Sequence, residues 1–368
     1  MPVPFNDLKA QLAPLEPELR EAFERVLGRG WFLAGPEVAA FEAEFAAWLG
    51  LPHAVALNSG TDALSLALRA LDLAPGDEVV LPAHTAPPCY HAVLAAGCAP
   101  VFADVDPDHG LLDPAAAAAV VGPRTRALMA VHLYGLPCDL DPLLALCADR
   151  SLALVEDCAQ AHGAAYRGRK VGTFGRLAAF SFYPTKNLGA LGDAGATACT
   201  DPALAERLAM LRQYGERTRY DCELAGANSR MDELQAAFLR ARLGRLAADT
   251  AARRELAAAY AAGLDGLPLV LPAEPQGREH VHHLYVVRTP QRDALATHLK
   301  ERGIGSAVHY PVPGHRQPLF TSGKAGFRAG NLANTERLCR EILSLPFYPG
   351  MGQGAVEEVC AAVRSFFA

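Results

Sequence analysis

Seven short apolar runs, separated mostly by stretches of helical periodicity, dominate the first two hundred residues of the chain. They are "HAVALN", "EVVLPA", "PVFADV", "ALMAVHL", "LALVEDC", "LAAFSF" and "GATACT". Several lack polar alternation, so a strand built from one has no face to offer to water. Such strands need a sheet covered on both sides, and the helical segments between them can supply that cover. The pattern predicts an α/β chain with a large three-layer unit around a mostly parallel, seven-stranded sheet. Sites in such sheets form outside the carboxyl ends of the strands. Polar residues cluster there: "NSGTD" after the first run, "AHT" after the second, "EDCAQAH" after the fifth and "YPTKN" after the sixth.

The flanks differ. "LEPELREAFERVLGRG" predicts an opening helix that ends at a glycine, and "GPEVAAFEAEFAAWLG" predicts a second. The long helical stretch "MDELQAAFLRARLGRLAADTAARRELAAAYAAGL" leads to the proline-rich connection "PLVLPAEPQGREH". Beyond it, "HLYVVRTP" and "IGSAVHYP" predict strands, and "RDALATHLKERG" and "AVEEVCAAVRSFFA" predict helices. We therefore expect a large domain over 1–250 and a smaller α+β domain over 251–368.

Composition excludes several classes. The formal net charge is -6 and no block of Lys or Arg occurs, which argues against nucleic acid and anionic membranes as partners. The start, "MPVPFNDLKAQ", has no secretory pattern. No run of about 18 uncharged apolar residues is present to cross a membrane. The nine cysteines are scattered, odd in number and without a CxxC pair, so reduced thiols in a cytoplasmic protein without a zinc site are expected.

Three features carry chemistry. Asp157 ends the apolar run "LALVEDC", where a buried carboxylate needs a cationic or donor partner. That partner is either a salt bridge or helix end, or the protonated nitrogen of a pyridine ring. "NSGTDALSLALRAL" sends a glycine turn into a helix, so the N–H groups of Gly60, Thr61 and Asp62 face either an anion or a simple N-cap by Ser59 or Thr61. Lys186 follows "AAFSFYPT" at a strand end among close-packing glycines; desolvation there would favour its free amine. Taken singly, each has a structural explanation. Their order, an anion cradle, then a strand-end acid, then a lysine about 30 residues later, suits a phosphorylated aldehyde cofactor such as pyridoxal 5'-phosphate.

The chain resembles the DegT/DnrJ/StrS family of pyridoxal-phosphate-dependent sugar aminotransferases, within the aspartate-aminotransferase fold (fold type I). The resemblance rests on "PFNDLKAQ", "GWFLAGPEVAAFEAEFA", "SGTDAL", "GDEVVLPAHT", "VHLYGLPCDLDPL", "VEDCAQAHGA", "FSFYPTKNLGALGDAGA", "NSRMDELQAAFL", "HLYVVRTPQRDAL", "GIGSAVHYPVPGHRQPLF" and "LSLPFYP", in family order across almost the whole chain. It implies Lys186 as the Schiff-base lysine and Asp157 as partner of the ring nitrogen. It implies Gln160 near the cofactor's 3-hydroxyl, and Gly60, Thr61 and Ser181 on its phosphate. Asn228 matches an asparagine that reaches the phosphate from the neighbouring subunit, so a homodimer with shared active sites is implied. His309 and Tyr310 fall where the family's small domain meets the sugar.

Two positions stand apart. After "HT" many members carry an aromatic residue that stacks on the cofactor; here the residue is Ala86, followed by Pro87 and Pro88. Asp193 stands where many other branches carry glutamate. His162 is read as a core or helix-start histidine. The implied activity is ping-pong amino transfer from glutamate or glutamine to a nucleotide-linked ketosugar, with C3 of a dTDP-linked 3-keto-6-deoxyhexose favoured. C4 amination and UDP- or GDP-linked sugars stay open as alternatives. Two further readings compete: a family dehydratase, which would carry histidine in place of Lys186, and a regulatory or sensory binding protein, for which no DNA-binding segment is visible.

Overall fold

The structure, a computed structural model, describes residues 2–368. All seven apolar runs form strands of one sheet: β1 (His53–Leu57), β2 (Glu78–Pro82), β3 (Ala99–Ala103), β4 (Thr125–Val131), β5 (Ala153–Asp157), β6 (Leu177–Ser181) and β7 (Gly195–Cys199). Their spatial order is β1-β7-β6-β5-β4-β2-β3. Neighbours from β6 through β5, β4 and β2 to β3 pair in parallel, while β7 runs antiparallel to both β6 and β1. The exception has a local cause. Parallel neighbours need a crossover, usually helical, and the segment 182–194 between β6 and β7 contains no helix. The chain turns back instead, and this return carries Lys186.

The sheet has eight strands rather than seven. Arg328 and Ala329 form an added strand, β9, parallel to β3 at the sheet edge. Two residues without apolar periodicity give no sequence signal. Pairing there covers an edge that would otherwise expose unpaired backbone groups.

Helices α1 (Glu16–Arg29) and α2 (Pro36–Leu49) end at Gly30 and Gly50, both left-handed, as the sequence predicts. Helices α3 (Gly60–Ala70) and α4 (Pro87–Ala95) follow β1 and β2 and present their amino ends where those strands finish. Helices α5 (Glu233–Leu243) and α6 (Leu246–Leu264) lead out of the large core.

A second core gathers Ala257, Tyr260 and Leu264 of α6 with β8 (Tyr285–Arg288), β10 (Ile342–Leu345), α7 (Arg292–Glu301) and α8 (Gln353–Phe367). Strands β8 and β10 pair antiparallel. The expected boundary at residue 250 falls inside α6. Val3 joins the second core and bridges to Ile304, whereas Phe320 and Leu332 pack in the large one. The segment "IGSAVHYP" forms no strand. It touches β10 through one bridge, Ala307 to Ser344, and then runs on to Tyr310. All nine cysteines are free, and only Cys222 is exposed. Among the described residues no helix is long and apolar enough to cross a membrane.

Candidate active site

A cavity of about 280 Å3 opens at the carboxyl ends of β4, β5 and β6. Gly60, Thr61, Asp157, Gln160, Ser181, Lys186 and Tyr310 all line it. Residues more than 200 positions apart therefore meet in one place, as the topology of the sheet requires.

Asp157 is the last residue of β5 and is almost fully buried. Its Oδ1 accepts the N–H of Ala159 at 3.0 Å, and its Oδ2 accepts the thiol of Cys89 at 3.1 Å. Among the described residues no Lys or Arg forms an ion pair with it, so the salt-bridge alternative open from sequence does not apply. Lys186 sits on the turn after β6, where its N–H bonds Tyr183 O at 2.8 Å. The turn is tight: a Cβ on Gly189 would stand 2.4 Å from Pro184 O, so only glycine lets the two backbones approach. Lys186 keeps partial exposure because it faces the cavity. Desolvation by the surrounding walls pushes its amine down to about 8, against the opposing pull of Asp157 and Cys89. At neutral pH a usable fraction of the amine is therefore unprotonated.

The turn before α3 combines a cap with free amides. Ser59 is the N-cap of α3, and its Oγ takes the N–H of Asp62 at 3.1 Å. Asp62 N–H is thus taken by the Ser59 cap, one of the two alternatives the sequence left open. The first two N–H groups of the helix, on Gly60 and Thr61, have no intrahelical acceptor and lie at the cavity. A Cβ on Gly60 would meet Ser181 Cβ at 2.4 Å. Glycine thus lets the helix start abut β6, bringing the Ser181 hydroxyl alongside free amides and a positive helix end. These donors fit a phosphate monoester, and a lysine with a lowered pKa fits an aldehyde. The residues present suit pyridoxal phosphate.

Gln160 is held from two sides by residues that pack against the large core. Its Oε1 accepts Tyr134 N–H at 2.6 Å, and its Nε2 donates to the Tyr310 hydroxyl at 3.2 Å. His309 stands one residue back from the cavity, with Nδ1 bonded to Ser344 Oγ at 2.8 Å and its ring stacked on Phe5 at 5.7 Å. Asn228 is exposed and lies outside this chain's own cavity, where Arg230 Nε donates to its Oδ1 at 3.1 Å. His162 is wholly buried against Phe180 and Phe182, with neither ring nitrogen hydrogen-bonded, and burial pushes its pKa down to about 3. It does not line the cavity.

The sequence does not single out Tyr183, which is exposed and lines the cavity, or Cys89, which in sequence is one more buried thiol. Tyr183 had a signal, since an aromatic residue three positions before Lys186 sits on the same return loop. Cys89 had none, because its contact with Asp157 spans 68 residues.

Residues 14–364 match the DegT/DnrJ/EryC1/StrS aminotransferase family. The dTDP-3-amino-3,4,6-trideoxy-alpha-D-glucose transaminase of Streptomyces venezuelae is 50% identical over 365 residues, 99% of this chain and 96% of that protein. The crystal structure of S. venezuelae DesV superposes with a TM-score of 0.95 at 50% identity, covering 99% of this chain and 98% of that one. NtdA from Bacillus subtilis, solved with bound cofactor PMP, gives 0.90 at 30% identity, covering 99% of this chain and 85% of that one. With the match spanning both cores and the whole cavity, this chain belongs to the DegT/DnrJ/EryC1/StrS aminotransferase family.

Proposed function

We propose that the chain transfers an amino group from glutamate or glutamine to C3 of a dTDP-linked 3-keto-6-deoxyhexose, using pyridoxal phosphate. The observation that carries this reading is the meeting of Lys186, Asp157 and the Gly60–Thr61–Ser181 cradle in one cavity. The choice of C3 and of dTDP is supported by the likeness to the S. venezuelae transaminase and by Asp193 at the cavity wall.

Bound pyridoxal phosphate supplies an electrophilic carbonyl and an electron-accepting ring. The chain's own residues do the rest. Gly60, Thr61 and Ser181 hold the phosphate, joined by Asn228 of the partner subunit. Asp157 keeps a proton on the ring nitrogen. Gln160 has spent one Nε2 hydrogen on Tyr310 and has a second for the 3-hydroxyl oxygen. Lys186 is the covalent anchor. With the donor bound, the free Nζ of Lys186 would take the proton from the donor's α-carbon, and in the second half it would give a proton to C3 of the sugar. Tyr310, with His309 behind it, contacts the sugar.

A homodimer follows from the same reading. Phe23, Leu27, Trp31, Phe32, Leu33 and Leu191 are all at least 41% exposed, and Phe23, Leu27 and Leu191 line one apolar groove of the kind a subunit interface covers. The test is a panel of dTDP-, UDP- and GDP-linked ketosugars with glutamate, with proton NMR of the product. Nitrogen at C3 of the dTDP sugar is expected; amination at C4 alone would overturn the regiochemistry.

A further inference from the structure

Asp157 is held from a second side by a residue to which no role has been given. The thiol of Cys89, fully buried in the first turn of α4, donates to Asp157 Oδ2 at 3.1 Å, and Thr85 Oγ1 lies 2.9 Å from the same sulfur. The directions are fixed by chemistry. A carboxylate only accepts, so the S–H must point at Asp157. The sulfur's lone pair is then the partner left for the Thr85 hydroxyl, which donates. The result is a one-way chain from Thr85 through Cys89 to Asp157.

We propose that Cys89 is a positioning residue: its thiol, fixed by Thr85, sets the plane of the Asp157 carboxylate toward the cofactor's ring nitrogen. This rests on the reading of Asp157 as the partner of that nitrogen. The geometry supports it on both oxygens. Ala159 N–H fixes Oδ1 from the Asp157 loop, and Cys89 fixes Oδ2 from a different helix, so rotation about χ2 would break one bond or the other. Each oxygen takes one protein donor and keeps acceptor capacity for the cofactor. A thiol is a weak donor, so it orients the carboxylate without drawing off much of the charge that the ring proton needs. Burial and the adjacent Asp157 push the Cys89 thiol well up, so it stays a donor.

The experiment measures the pyridoxal phosphate Kd and the 15N shift of a labelled cofactor ring nitrogen in the full-length enzyme, for wild type, C89A, C89S, T85V and D157N, alongside melting temperature. C89A should weaken cofactor binding about tenfold, the effect of losing one donor to a charged group. It should also move the ring-nitrogen signal toward that of D157N. C89S, which restores a donor, should stay within about twofold of wild type, and T85V should fall between. A purely packing role would lower the melting temperature of C89A and leave the 15N shift unchanged, which would overturn the assignment. If D157N shifts the ring signal and C89A does not, the Cys89 inference fails alone. If D157N leaves the ring signal unchanged, the reading of Asp157 fails first and takes this inference with it.

Discussion

Gln160 and Tyr310 share a hydrogen bond of 3.2 Å that joins the loop after β5 to a segment 150 residues later in the chain. Gln160 is at the same time anchored by Tyr134 N–H. The segment carrying Tyr310, which leaves the second core after Val308, is thus tied to another side chain of the cavity lining. Removing the hydroxyl in Tyr310→Phe costs one neutral hydrogen bond, about 1 kcal/mol. We expect the KM for the ketosugar to rise about fivefold with kcat within about twofold, measured by steady-state kinetics. A loss confined to kcat would place Tyr310 in the chemical step instead.

The lowered pKa of Lys186 has a signed consequence. Its amine titrates at about 8 in the folded chain and at 10.5 in an ordinary setting. Between those values the unfolded chain holds the extra proton, so the stability of the cofactor-free protein rises with pH across that window. Lys186→Met removes the titrating group. The melting temperature of the wild type should lie below that of the variant at pH 7.5 and approach it by pH 10.5. A difference independent of pH would contradict a desolvated amine.

Gly60 is predicted to tolerate no side chain. A Cβ there meets Ser181 Cβ at 2.4 Å and Ser181 Cα at 3.0 Å, so Gly60→Ala must separate α3 from β6. We expect a loss of pyridoxal phosphate affinity of at least about tenfold, read by absorbance titration. The double variant Gly60→Ala with Ser181→Gly should recover melting temperature and not affinity, since it restores space without the hydroxyl. Recovery of both would show that Ser181 does not serve the phosphate.

Subunit mixing tests where Asn228 acts. Lys186→Ala and Asn228→Ala enzymes should each be severely impaired. If Asn228 serves the partner subunit, a mixed dimer of the two holds one site with both residues intact, and mixing restores activity. If it serves its own chain, no site in the mixed dimer is intact and mixing restores nothing.

The central sheet was legible because its strands are buried on both faces and spell themselves as continuous apolar runs. The cavity-lining residues were legible for a related reason: in a parallel sheet, polar residues at the ends of successive apolar runs must converge. Three things were not readable. The strand at Arg328 and Ala329 is too short to have a period. The segment before Tyr310 has the β-branched and aromatic texture of a strand, yet it makes only two isolated bridges, Ile304 to Val3 and Ala307 to Ser344, before leaving the second core. The consumption of Asp62 N–H by Ser59 was one of two allowed geometries for the same letters, and only coordinates separate a cap from a cradle. Here Asp62 N–H goes to the cap, while the amides of Gly60 and Thr61 are left at the cavity.

One measurement bears most directly on the account. The purified protein is incubated with pyridoxal phosphate, scanned for a near-visible absorbance band, reduced with borohydride, digested and mapped by mass spectrometry. The account predicts a band that borohydride bleaches and a phosphopyridoxyl mass on the peptide that contains Lys186. A colourless protein, or a label on another lysine with Lys186 unmodified, would contradict it.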